Sequence, residues 1–403
     1  MPNVRRPRSS AAWLVALVIA GCSTGPTPSA GVFAAESAAA SIAAPTSTPA
    51  TPITTPMPAR WVVGDLPVPN GMKQCSPDEG GLQNLRFAGF GTGLLGFGSC
   101  AHSASPGLVW ISADRQSWQA SAPTTLAHAD VYDLLVVDGL IIAVGQDVTD
   151  GFAAAAWTSP DGVSWTRSTG DLGCGIISTV TRLGSVFVAF GNHLPSAPEV
   201  EVPPGICEWV SDDGLDWKPV GLRNAVFPDD ALVSSVAAGP GGLLAVGVVS
   251  GPSHSVGARW QSPDGRSWTR VARDAMNDWV SVDQAIAGGA GFVILGTDVR
   301  GNATLATSAD GLLWTAAAAP GQGTLYGSPS LGSGSAGVVF GGFPDNGVAS
   351  PATIWTSSDG SSWRRSPALP ADLSYKSVAV AAGAFVVAAS TPDGRAAIVT
   401  LEP

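Results

Sequence analysis

Charge is scarce in this chain: only 13% of its 403 residues are Asp, Glu, Lys or Arg, and acids outnumber bases 31 to 20. That balance disfavours nucleic acid and anionic membrane surfaces, which are gripped through Lys and Arg. Histidine is limited to four residues, and neither His-Glu-x-x-His nor Cys-x-x-Cys occurs. No metal site is therefore expected by motif. No cofactor is expected either. Gly91-Thr-Gly93-Leu-Leu-Gly96 matches a dinucleotide fingerprint but joins two strand-like runs and opens no helix. Gly21-Cys-Ser23-Thr-Gly25 matches a nucleophile elbow but lies at the end of the N-terminal apolar segment. Helical periodicity is missing after residue 60, which leaves an all-β fold. The apolar run from Ala11 to Ala20 is too short to span a bilayer.

What the chain does contain is a phrase, Ser-x-Asp-Gly-x-x-Trp, from Ser159 to Trp165, Ser211 to Trp217, Ser262 to Trp268, Ser308 to Trp314 and Ser357 to Trp363. A degenerate first copy, Ser112 to Trp118, carries Arg115 where the others have glycine. The serines are 47, 52, 51, 46 and 49 residues apart, a period that marks a repeat architecture. In the second unit, Val131–Val137 and Leu140–Gly145 read as strands joined by an Asp138-Gly139 hairpin turn. Ala153–Ser159 and Ser164–Ser168 read as two more, separated by Pro160-Asp161-Gly162. The second strand of each unit ends at a glycine: Gly98, Gly145, Gly191, Gly247, Gly296 or Gly341. The third carries Trp110, Trp157, Trp209, Trp260 or Trp355, with Ala306 in the fifth unit. Eleven of the 14 tryptophans thus recur in register, which predicts packing between strands and neighbouring sheets.

After the sixth phrase come three strand-like runs, Lys376–Ala382, Phe385–Ala389 and Ala396–Leu401, and no fourth. Arg60–Val63 precedes the first unit as an orphan strand. The economical solution is an all-β, seven-bladed β-propeller of four-stranded antiparallel blades, its seventh blade closed by N- and C-terminal strands. Such a closed domain is expected to be a monomer.

The phrase resembles the Asp-box, or BNR, repeat of sialidases and related bacterial propellers, whose pattern is Ser/Thr-x-Asp-x-Gly-x-x-Trp. The turn here is one residue shorter. The resemblance implies that Asp114, Asp161, Asp213, Asp264, Asp310 and Asp359 lock turns on the face away from any active site. It also sets a test for catalysis. A sialidase needs three arginines on a carboxylate, a tyrosine–glutamate pair and an acid. The Phe/Tyr-Arg-Ile-Pro motif is absent, the nearest arginine in place being Arg86 in Leu85-Arg86-Phe87. Tyr132, Tyr326 and Tyr375 are the tyrosines available, and Tyr326 and Tyr375, near the starts of innermost strands, are the candidate nucleophiles. A further resemblance is to BNR-like photosystem assembly factors, in which the propeller chaperones a membrane complex. That reading calls for a basic patch, which this acidic chain does not obviously supply.

Arg5, Arg6 and Arg8 precede the apolar run, which ends in Ile19-Ala20-Gly21-Cys22. This resembles a bacterial lipobox, and implies a signal peptide over 1–21 and a lipid on Cys22 that anchors the chain to a membrane. Residues 23–59 are almost all Ser, Thr, Ala, Pro and Gly, with Glu36 the single charge. Such a segment buries no core and reads as a tether reaching about 35 Å as a coil. The expected domains are then 1–21, the lipidated cysteine and tether over 22–59, and the propeller over 60–403. Without the leader's three arginines the chain carries 17 basic against 31 acidic residues, a net charge of −14. The expected location is the cell envelope, facing the extracytoplasmic side, where disulfides persist. Sequence neighbours suggest Cys75–Cys100 and Cys174–Cys207 among the three pairings open to four cysteines. In a propeller each bridge would tie a blade's lead-in segment to its own loop.

His102, His128, His193 and His254 all map to one loop face. That face also collects Asp147, Asp150, Glu199, Glu201, Asp229, Asp230, Asp274, Asp278, Asp298 and Asp345, with Arg223, Arg273, Arg300 and Arg395. Two functions are compatible with these residues. One is a non-catalytic recognition or scaffold module that presents the loop face to a glycan or envelope protein. The other is a divergent sialidase-like glycoside hydrolase, an exo-glycosidase if it is an enzyme at all.

Overall fold

The computed structural model describes residues 60–403, apart from 71, 73, 74, 76–80, 101–105, 150–152, 170, 171, 174, 193–204, 221–225, 252, 253, 273–275, 277, 318, 319, 321–324, 345–351 and 403. Of 325–328, 343 and 344 only the backbone is described. The signal peptide, Cys22, the tether and Cys174 therefore lie outside the described residues. So do His102, His193, Asp150, Glu199, Glu201, Asp274, Asp345, Arg223, Arg273 and the side chain of Tyr326.

Seven four-stranded antiparallel sheets make up the architecture, a seven-bladed β-propeller. Blades one to six each use four consecutive strands, counted here from inner to outer. Their inner strands are Leu82–Phe90, Ala129–Val137, Ile176–Leu183, Ala231–Gly239, Trp279–Gly288 and Leu325–Gly334. Blade seven takes its inner three strands, Ser374–Ala381, Ala384–Ser390 and Ala396–Glu402, from the C-terminal end. Its outer strand is Arg60–Asp65, antiparallel to the third with Arg60 opposite Glu402 and Asp65 opposite Ala397. In the other blades the outer strand is two or three residues long, as in Thr166–Arg167, shorter than its sequence suggests. Brevity leaves little free edge for another chain to pair with.

Seven apolar clusters fill the spaces between sheets, one at each interface between blades. Leu95, Phe97 and Val109 of blade one, for example, pack on Val131, Ile141, Ala143 and Trp157 of blade two. Trp110, Trp157, Trp209, Trp260 and Trp355 are all 5% exposed or less. Each removes about 200 Å² from water, about 5 kcal/mol of gross hydrophobic stabilisation.

The repeated phrase closes the turn from third to outer strand. Ser159 Oγ donates to Asp161 Oδ1 and accepts the Gly162 amide at 2.7 Å. Asp161 Oδ1 also accepts the amides of Val163 and Ser164 at 2.8 and 2.7 Å. These bonds, the Ser164 amide foremost, hold the carboxyl down to about 2. The same contacts recur around Asp213, Asp264, Asp310 and Asp359. Cys75 and Cys100 are joined by a disulfide. Cys207 is also disulfide-bonded, to a partner outside the described residues.

The second strands do not stop at their glycines, as the sequence suggests; they run one to three residues further. Each glycine instead faces an irregularity in the inner strand. Gly145 pairs with Val131 beside the register shift between Val131 and Asp133, and a Cβ on it would lie 1.9 Å from the Asp130 carbonyl oxygen. All seven inner strands carry such a bulge near their start.

Candidate functional site

The bulges build the site. A cavity of about 460 Å³ sits among the inner strands, lined by residues of all seven blades. Every one of the seven stations pairs a bulged residue with the residue that follows it. The bulged set is Leu85, Tyr132, Ser178, Ser234, Asp283, Pro329 and Lys376. The following set is Arg86, Asp133, Thr179, Ser235, Gln284, Ser330 and Ser377.

The second set forms a hoop of bonds from blade to blade. Asp133 Oδ2 accepts the Val180 amide at 2.9 Å, and Thr179 Oγ1 accepts the Val236 amide at 3.3 Å. Ser235 Oγ accepts the Ala285 amide at 3.2 Å, and Gln284 Oε1 accepts the Leu331 amide at 2.7 Å. Ser330 Oγ accepts the Val378 amide at 3.1 Å, and Ser377 Oγ donates to the Leu85 carbonyl at 2.7 Å. Between blades one and two, Asn84 Nδ2 donates to Asp130 Oδ1 at 2.9 Å. Burial raises the Asp133 carboxyl, and the Arg86 charge is the largest opposing influence. These bonds tie neighbouring blades together and occupy the groups that make them.

Leu85 of the bulged set is 1% exposed and packs into the apolar cluster between blades seven and one; the other six line the lumen. Tyr132 donates to Asp130 Oδ2 at 2.8 Å and accepts from Gln146 Nε2 at 2.8 Å. Burial, then the bond to Asp130, pushes its phenol above the ordinary tyrosine range, so it keeps its proton. Ser178 donates to the Phe190 carbonyl within its own blade. Asp283 receives the Thr297 hydroxyl at 3.2 Å on one oxygen. Lys376 is half-buried, and burial lowers its ammonium. It has no hydrogen-bond or ion-pair partner among the described residues.

The sequence-derived candidates are placed elsewhere. Tyr375 is 5% exposed, buried between blades six and seven with its hydroxyl 2.5 Å from Ser330 Oγ, and does not line the cavity. His128, His254, Asp229, Asp230 and Asp278 are exposed at the loop face. Asp147 is tied to Arg167 at 2.8 Å and to Thr149. Asp298 receives the amides of Arg300 and Asn302. Arg395 pairs with Asp393 and Asp65. Of the described arginines singled out, Arg86 lines the cavity and Arg300 and Arg395 do not. The described residues include no group of three or more His, Cys, Asp or Glu arranged to hold a metal. The lumen set went unrecognised in the sequence, although the glycine in each second strand marks the height at which it lies.

No protein-family model matches the sequence, and no curated protein matches it. Among solved structures, YCF48 bound to D1 peptide superposes with a TM-score of 0.51 at 11% identity, covering 86% of this chain and 96% of that one. Trypanosoma rangeli sialidase gives 0.45 at 11% identity over 86% of this chain and 60% of its own. The β-propeller domain of the trilobed protease from Pyrococcus furiosus gives 0.49 at 8%, over 80% and 96%. At such identities the likeness is one of fold. The chain spans less than two thirds of the sialidase's length.

Proposed function

We propose that this chain is a recognition module of the cell envelope, held to a membrane by lipid on Cys22 and raised from it by the segment over 23–59. Its propeller binds a glycan or envelope component at the channel mouth and surrounding loops. The observation that carries this reading is the lumen wall. All seven blades contribute residues to it, on backbone fixed by the inter-blade hoop, so the site is preformed. Hydroxyls and two charged groups suit the recognition of a small polar ligand or the exposed end of a larger one.

A second reading, a sialidase-like glycoside hydrolase, is favoured by one contact, that of Tyr132 with Asp130 at 2.8 Å. A carboxylate beside a phenol can take its proton during nucleophilic attack. Fluorogenic glycosides, sialosides included, offered to the purified full chain while glycan binding is read in parallel separate the two. Binding without turnover is the expected result. Turnover abolished by Tyr132→Phe would establish the hydrolase instead.

A further inference from the structure

The lumen holds two unspent charges of opposite sign. Lys376 stands on blade seven and Asp283 on blade five, both lining the same cavity. No ion pair joins them among the described residues. The other two charged lining residues, Arg86 and Asp133, act on one another, with the Arg86 charge opposing the burial of Asp133. The placement of Lys376 is unusual for this composition. The chain has three lysines in all, and one of them lies half-buried in the channel rather than at the surface. Burial of an ammonium costs free energy unless an anion meets it. Here Asp283, an exposed carboxylate with one hydrogen bond from Thr297, stands two blades away.

Blade six lies between these two, and its lumen residue is Pro329, an apolar surface flanked by a cation and an anion. On blade four, beside Asp283, Ser234 adds a hydroxyl. This order of cation, apolar patch and anion is complementary to a ligand that carries a carboxylate and an ammonium on a short carbon skeleton. We propose that the channel mouth is a receptor site for a small zwitterion of the amino-acid or short-peptide class, with Lys376 meeting its carboxylate, Asp283 its ammonium and Pro329 its apolar side chain. A cavity of about 460 Å³ accommodates a ligand of that size. A cell envelope presents such groups both free and as the ends of peptides, so the proposal rests on the recognition reading and names its ligand class.

Calorimetric titration of the full chain with leucine and leucyl-leucine, and with N-acetyl-leucine and leucine amide, tests it. The expected result is binding of the zwitterions, with each singly charged derivative weaker by at least about tenfold. Lys376→Met should weaken leucine about tenfold and leave leucine amide unchanged; Asp283→Asn should weaken leucine and leave N-acetyl-leucine unchanged. Melting temperatures read on the same samples show that the variants are folded, and Lys376→Gln replaces Lys376→Met if that variant is not. Equal binding of zwitterion and blocked derivatives overturns the proposal, as does the absence of binding by leucine and leucyl-leucine. Either outcome leaves the recognition reading standing if glycans still bind, whereas glycoside turnover removes that reading alone.

Discussion

At the scale of single residues, the informative position is the one that breaks the repeat. Gly162, Gly214, Gly265, Gly311 and Gly360 all have φ between 73° and 80°, in the left-handed region. Arg115 occupies the equivalent place in blade one with φ 65°. A side chain there crowds its own carbonyl, at a cost of about 1–2 kcal/mol, while glycine in its place gains entropy when unfolded. Arg115→Gly is therefore expected to stabilise the protein by about 0.5–1 kcal/mol, read as a raised urea midpoint at constant slope. The opposite exchange has less room. A Cβ at Gly162 would lie 2.7 Å from Ile111 Cδ1, so Gly162→Ala should destabilise by at least about 1 kcal/mol. An unchanged midpoint in Arg115→Gly would show that the degenerate turn carries no strain.

At the scale of elements, the interface between blades three and four carries a buried acid. Glu208, on the third strand of blade three, Ile206–Ser211, is 1% exposed. Its Oε1 accepts Trp268 Nε1 at 2.9 Å, while Oε2 has no partner among the described residues. Burial pushes the carboxyl up to about 8. The folded state thus keeps a proton that the unfolded chain releases near 4.5. Stability is fully present below about pH 4.5, declines as pH rises towards 8, and is flat beyond. The slope in that window is at most about 1.4 kcal/mol per pH unit. Glu208→Gln should abolish that decline, and melting curves from pH 5 to 9 on both proteins check it; parallel curves would place the acid in a wetter setting. Elements are also where the sequence was most legible. The turn phrase is local chemistry, written in Ser, Asp, Gly and Trp, so its copies could be counted and the orphan Arg60–Val63 assigned to blade seven. The lumen was not legible. Tyr132, Ser178, Ser234, Asp283, Pro329 and Lys376 share a place but no chemical type, because side chains facing a channel are not held to a common volume by packing. The hoop was hidden for a different reason: Ser235 or Ser377 in a strand looks like any other polar residue until the neighbouring blade's backbone is seen.

For the whole molecule, the question is what keeps a ring of seven weakly connected sheets from opening. Adjacent blades are joined by apolar clusters and by the hoop, and the first and last described strands pair in blade seven. Arg60–Asp65 covers the full backbone edge of the strand from Ala397 to Glu402, and Trp61 Nε1 donates to the Pro367 carbonyl at 2.7 Å. The segment that follows places Leu66, 3% exposed, in the cluster between blades seven and one. The closing strand therefore supports the interface that Ser377 and Leu85 bridge at the channel mouth. A chain starting at residue 66 is expected to melt about 10 °C below one starting at residue 60, the scale of several kcal/mol in a domain this large. Its exposed strand edge should also produce dimers or larger species by light scattering. Ligand binding at the mouth should weaken with it, because Lys376 stands beside the loosened interface. If the shorter chain stayed monomeric with an unchanged melting point, closure would reside in the hoop and apolar clusters alone, and blade seven would be held by its three C-terminal strands.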